Sequence, residues 1–138
     1  MSIHHSKTFC PLPWIHLATR PNGDVRVCCT ANASGAGIID EKDVGLLKEN
    51  GVTLNLRENT IEQVWNSEQL RQTRLMMLNN QVPSSCTKCF QEEKLGIASK
   101  RQWESKVWEQ TRSDLLLPVL HISQNYIIVP YARVCGED

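Results

Sequence analysis

Cys86 and Cys89 stand three positions apart in "SSCTKCF", at the end of an amphipathic stretch. This spacing lets two sulfurs approach one centre from a tight turn, a geometry shared by zinc knuckles, iron–sulfur ligation and dithiol redox chemistry. Redox pairs of the thioredoxin type open a helix after a strand in a βαβ setting. Here the pair follows a helical stretch and a Pro-Ser-Ser turn, which argues against dithiol catalysis. The chain carries six cysteines, and its N-terminus, "MSIHHSKTFCPLPW", has no apolar signal segment. The longest apolar clusters, "LLLPVL" and "YIIVP", are short and interrupted by proline, so no membrane span is expected. The expectation is a cytoplasmic chain with reduced thiols, whose cysteines serve a metal or cluster and not a disulfide framework.

Cys10 and Cys28 supply the other half of the set. Residues 13–29 read as a β-hairpin. "WIHLAT" alternates apolar and polar positions, "PNGD" is a tight-turn signal because Asn and Gly tolerate positive φ, and "RVCC" runs back. A hairpin brings its outer ends together, so four thiolates from two separated segments can meet around one centre. On ligand softness a tetrathiolate set suits Zn2+ or an iron–sulfur cluster. Cys29 adjoins Cys28, and neighbours on a strand point to opposite faces. Cys28 keeps the Gly23-x4-Cys spacing and is taken to face the site, while Cys29 packs in the core or in the layer around it. Cys135, isolated near the end, reads as a small semi-buried residue.

The remainder reads as helices and connections. Residues 30–59 look loop-like, with "KENG" as a turn and "VTLNL" as a short strand. Residues 60–80 read as two helices, with a Thr60–Gln63 capping box, a kink at Asn66–Ser67, Ser67 as second N-cap and an end near Asn79–Asn80. One helical turn is expected after the Cys-x2-Cys step, broken at Gly96. A Ser99–Gln102 capping box then opens a helix over 100–112, marked by Trp103, Val107, Trp108 and Thr111. The four tryptophans are assigned to the core. The expected fold is a small α+β domain over 1–112, a β-hairpin followed by helices. Residues 113–138 form an apolar, β-branched tail that adds a strand or stays outside the domain.

Formal charges cancel, and basic residues are scattered among acidic ones. That leaves no electrostatic case for nucleic acid or an anionic membrane as partner. No catalytic constellation emerges. His4 and His5 read as a solvated pair, and His16 and His121 as structural. No Ser-His-Asp arrangement has supporting spacing, and "GAG" at 35–37 lacks the residues of a phosphate loop. Arg20, Arg26, Arg71, Arg74 and Arg101 read mostly as surface charge, the alternative being positive charge or hydrogen-bond donors placed near an anionic cluster.

Taken together, Cys10-x12-Gly23-x4-Cys28, the stretch "IEQVWNSEQLRQTRLMML" with its Trp-Asn-Ser, and the following "CTKC" resemble SPASM and twitch domains, the auxiliary iron–sulfur modules of radical S-adenosylmethionine enzymes. The likeness covers roughly residues 8–108. It implies one auxiliary [4Fe-4S] cluster held by Cys10, Cys28, Cys86 and Cys89, with Trp14, Trp65 and Cys29 as candidates for the layer that shields it from water. A full SPASM module has further cysteines and two clusters; Leu95 stands where the next cysteine would fall, so the one-cluster, twitch-like form is implied. The Cys-x3-Cys-x2-Cys loop of radical enzymes does not occur in the sequence. The resemblance therefore implies a module, fragment or stand-alone adaptor that relays electrons or positions substrate for a radical core on another chain. The alternative is a four-cysteine structural zinc module for protein interaction.

Overall fold

Two prolines shape the start of the domain. Pro11 takes helical backbone angles, and the N–H of Trp14 donates to its carbonyl at 2.9 Å, which closes the helical turn α1 over Leu12–Ile15. Proline suits such a first turn, since its missing N–H would have no partner there. The expected strand over "WIHLAT" therefore begins only at β1, His16–Thr19. The computed structural model describes residues 6–31, 45–115 and 133–134. The His4–His5 pair, the "GAG" tripeptide, His121 and Cys135 lie outside these residues.

β1 pairs antiparallel with β2, Val25–Arg26, in the register Ala18↔Arg26 and Thr19↔Val25. The intervening turn has Gly23.N donating to Arg20.O at 2.8 Å and Arg20.N donating to Asp24.O at 2.8 Å. Gly23 alone in this turn takes a positive φ, +94°, so the connection is a three-residue loop ending in a left-handed glycine and not a two-residue Asn-Gly turn. A Cβ on Gly23 would also lie 2.5 Å from Oδ1 of Asn55. That amide donates to Asn22.O and to Oδ1 of Asp24, both at 3.0 Å, and pins the hairpin tip.

The region expected as loop holds a second hairpin. β3, Lys48–Glu49, pairs with β4, Val52–Thr53, through Asn50 and Gly51, which both take positive φ (51° and 78°). This is the primed turn whose twist matches paired strands. The hairpin lies along the free edge of β2. The Leu47 N–H donates to the Val25 carbonyl at 2.8 Å, the Val25 N–H to the Leu54 carbonyl at 3.1 Å and the Leu56 N–H to the Gly23 carbonyl at 2.9 Å. On its other edge β1 runs parallel to β5, Arg133–Val134, giving the order β2-β1-β5. β1 is thus a central strand, and His16, Leu17 and Ala18 are all buried, so the expected alternation of inside and outside is absent.

α2, Ile61–Trp65, opens with the reciprocal Thr60–Gln63 capping box. α3, Glu68–Leu78, begins after Ser67, which occupies the N-cap position with no side-chain bond to the helix. α3 ends as expected at Asn79–Asn80. Asn80 takes φ 57°, and Gln81.N donates to Met76.O at 2.9 Å, closing the last turn. Arg74 of α3 joins three elements: Nε donates to Pro13.O at 2.8 Å, Nη1 to Trp65.O at 2.9 Å, and the guanidinium lies 4.9 Å from the Trp65 ring centre. Val64, Leu70 and Met77 meet Val25, Val27, Leu47 and Leu54 in one apolar core, which also takes in Leu12, Trp14, Leu17, Cys10 and Cys28.

After a 3₁₀ turn at Ser84–Cys86, α4 runs over Thr87–Lys94, longer than the single turn expected, and includes Cys89. Gly96, at φ 75°, ends it; Gly96.N donates to Glu93.O and Ile97.N to Glu92.O. α5, Lys100–Leu115, follows the expected Ser99–Gln102 capping box. Trp103 on α5 is 64% exposed and so is not a core residue. Together the two hairpins and the helices make a small α+β module. Among the described residues no helix is long and apolar enough to cross a membrane.

Candidate metal centre

Each cysteine is placed by a local feature of the chain. Cys10 precedes Pro11, and the segment before it is tied to the end of α3. The hydroxyls of Thr8 (2.9 Å) and Ser6 both donate to Met77.O, and Lys7.N donates to Oδ1 of Asn80 at 2.8 Å. Cys28 sits in a turn after β2, where Ala31.N donates to Cys28.O at 3.3 Å. Beneath that turn the buried Arg26 donates from Nη2 to Ala31.O at 2.6 Å. Cys86 closes the 3₁₀ turn, with its N–H donating to Pro83.O at 2.9 Å, and occupies the N-cap position of α4. Cys89 lies in the first turn of that helix.

These four cysteines line one pocket. Leu12, Val27, Ala31 and Met77 form an apolar wall, and Lys88, Lys100 and Arg101 bring positive charge. Among the described residues no carboxylate lines it. Cys10 and Cys28 are buried, while Cys86 and Cys89 are partly buried. None of the five described cysteines is in a disulfide. Among the described residues no three His, Cys, Asp or Glu side chains converge closely enough to hold a single ion; the thiols ring the pocket.

The electrostatics follow from burial. Desolvation pushes the Cys10 thiol far above the ordinary range, and the nearby Cys28, Cys86 and Cys89 add to the rise, since neighbouring thiolates would repel. Cys28 is likewise raised by burial, against hydrogen bonds from Thr30. Burial pushes Cys86 from 9.0 up to about 12, with Cys28 and Cys89 adding to it and Arg101 opposing it. Burial thus favours the thiol form of Cys10, Cys28 and Cys86, and a metal centre bound through them must displace their protons. A donor set of four thiols fits an iron–thiolate group on soft-ligand grounds, and the lining charges beside it are basic, with Lys100 paired to Glu104 and Arg101 to Glu93.

Cys29 is exposed and lies outside the pocket lining. It is not a core residue, and its outward position comes from a turn and not from strand alternation. Trp14 is buried beside Phe9, with ring centres 5.4 Å apart, and Trp65 stacks under Arg74; neither is among the lining residues. Of the five arginines considered, Arg101 reaches the pocket. Nothing in its local spacing signals this, because its partners Lys7 and Phe9 lie more than ninety residues away in sequence. A family model described as an iron–sulfur cluster-binding domain, SPASM, matches residues 10–90, more than half of the chain, from the first pocket cysteine to just past the last. No curated protein and no solved structure matches the chain.

Proposed function

The chain belongs to the SPASM family of iron–sulfur cluster-binding domains, and from that premise we propose that it holds a single [4Fe-4S] cluster through Cys10, Cys28, Cys86 and Cys89, as an auxiliary centre for a radical S-adenosylmethionine core that lies outside residues 1–138. The observation that carries this reading is that two cysteine pairs, far apart in sequence, line one pocket whose other charged groups are basic. When bound, the cluster supplies one-electron transfer. The protein's own part is to bind, to shield and to balance charge. The four thiols give up their protons on loading. Leu12, Val27, Ala31 and Met77 keep water from the inner side, and Lys88, Lys100 and Arg101 offset the negative charge of the thiolate centre. A full set of cysteine ligands leaves no open iron for substrate, which favours electron relay over direct substrate ligation.

A four-cysteine zinc module is the competing reading, because Zn2+ accepts the same thiolates. Family membership weighs against it. The test is anaerobic purification with iron, sulfide and zinc analysis. The expected result is a brown protein with about four irons and four sulfides per chain, the content of a [4Fe-4S] centre. A colourless protein with one tightly held zinc would replace this reading with the structural one.

A further inference from the structure

The family match ends at residue 90, yet a side chain from α5 grips the residue beside a thiol on each side of the pocket. Nη1 of Arg101 donates to the carbonyl of Phe9, next to Cys10, at 3.1 Å and to that of Lys7 at 3.3 Å. Nε and Nη2 donate to the two carboxylate oxygens of Glu93 on α4, at 2.9 and 2.5 Å. The guanidinium lies 4.5 Å from the ring centre of Phe90, which follows Cys89. Both partners of the ion pair are 15% exposed, so screening by solvent is limited. Oγ of Ser99 also donates to Glu93, at 2.6 Å, which fixes the carboxylate from the α5 cap. A planar fork with five donors can make these ties at once; an ammonium cannot.

We propose that Arg101 is the positioning residue of the cluster site, locking the Cys10 segment to the Cys86–Cys89 helix and placing a positive charge at the pocket wall. This rests on the cluster reading above. Loss of the fork would let the two halves of the thiol ring separate. Loss of the charge would make the reduced, more negative cluster harder to form and lower its potential.

The test uses the full chain, reconstituted without oxygen, as wild type, R101Q, R101K and E93Q. Two quantities are read: the rate of iron release to a chelator, and the midpoint potential from a dithionite titration followed by electron paramagnetic resonance. R101Q loads the same iron content but releases it about tenfold faster or more, the usual penalty for removing a support of a metal ligand, and its potential moves negative. R101K restores the potential but not the slow release. E93Q speeds release, because an amide offers the fork one acceptor in place of two, and moves the potential positive, opposite to R101Q, because it removes a negative charge beside the guanidinium. R101Q matching wild type in both readouts overturns the proposal, as does a potential in R101K that stays as low as in R101Q. Should R101Q fail to fold, an E93Q protein with wild-type iron release overturns the clamp instead. A wild-type chain that takes up no iron overturns the cluster reading itself; a loaded wild type with unmoved variants overturns only the role of Arg101.

Discussion

Cys10 and Cys28 belong to the buried core, whereas Cys86, at the N-cap of α4, packs against it only partly buried and Cys89 rides on a helix that contributes no buried residue to it. The first pair is fixed by the sheet and its edge hairpin, by the turn at Gly23 and by the hydroxyls that tie the N-terminal segment to Met77. The second pair depends on a 3₁₀ turn, the packing of Cys86 and the polar ties of Arg101 to Glu93. The first half of the ring is anchored by apolar packing and the second mainly by polar ties. Where a bound group bridges a stable and a weakly anchored element, its binding free energy acts mainly on the weak one.

The largest effect that would break this contrast is a uniform response to cluster loss. Hydrogen exchange on the loaded and cluster-free chain is expected to differ at 84–95, where amides lose protection about a hundredfold, as when a ligand at a hundred times its dissociation constant is withdrawn. Strands 16–19 and 25–26 should change little. Equal loss in both regions would mean that the hairpin half is not preformed.

Alkali sharpens the comparison from the other side. The Cys10, Cys28 and Cys86 thiols are raised in the fold by burial. A raised pKa stabilises the fold fully below the unfolded value and loses that contribution as pH rises through the folded one. The cluster-free chain should therefore melt at progressively lower temperature from pH 9.0 toward about 12, the span over which Cys86 titrates, while the loaded chain stays flat where its thiols are already ligated. A flat profile for the cluster-free chain would remove the buried-thiol account.

A smaller effect probes the hairpin half alone. Gly23→Ala places a Cβ at φ +94° and 2.5 Å from the Asn55 amide, so it should cost about 1–3 kcal/mol in chemical denaturation. The variant should load cluster normally once folded, with unchanged exchange at 84–95 relative to loaded wild type. A stability equal to wild type would show that the turn relaxes freely.

Local rules made much of this fold legible. The Thr60–Gln63 and Ser99–Gln102 boxes, the break at Asn66–Ser67 and the stop at Asn79–Asn80 are short-range signals, and the structure has all of them. The second hairpin was written in Asn50–Gly51, but strands of two residues, one of them Lys48–Glu49, carry no readable alternation. Helical backbone at Pro11 turned an expected strand into α1. The burial of β1 on both faces depends on partners far along the chain, which period-two patterning cannot report. In the site, Cys10, Cys28, Cys86 and Cys89 were read as meeting around one metal centre; the four line one pocket, and among the described residues no three of them converge on a point. Arg101 was indistinguishable from surface charge, because its role comes from tertiary contacts with Lys7 and Phe9.

The central claim is that four thiolates, and not the exposed neighbour Cys29, hold one cluster. Iron and sulfide per chain, counted across Cys10→Ser, Cys28→Ser, Cys29→Ser, Cys86→Ser and Cys89→Ser after identical anaerobic reconstitution, tests it most directly. Cys29→Ser is expected to keep about four irons with the wild-type spectrum, and each of the other four to lose the four-iron centre. A Cys29→Ser chain that loads no cluster, or a Cys86→Ser chain that keeps it intact, would contradict the ligand set.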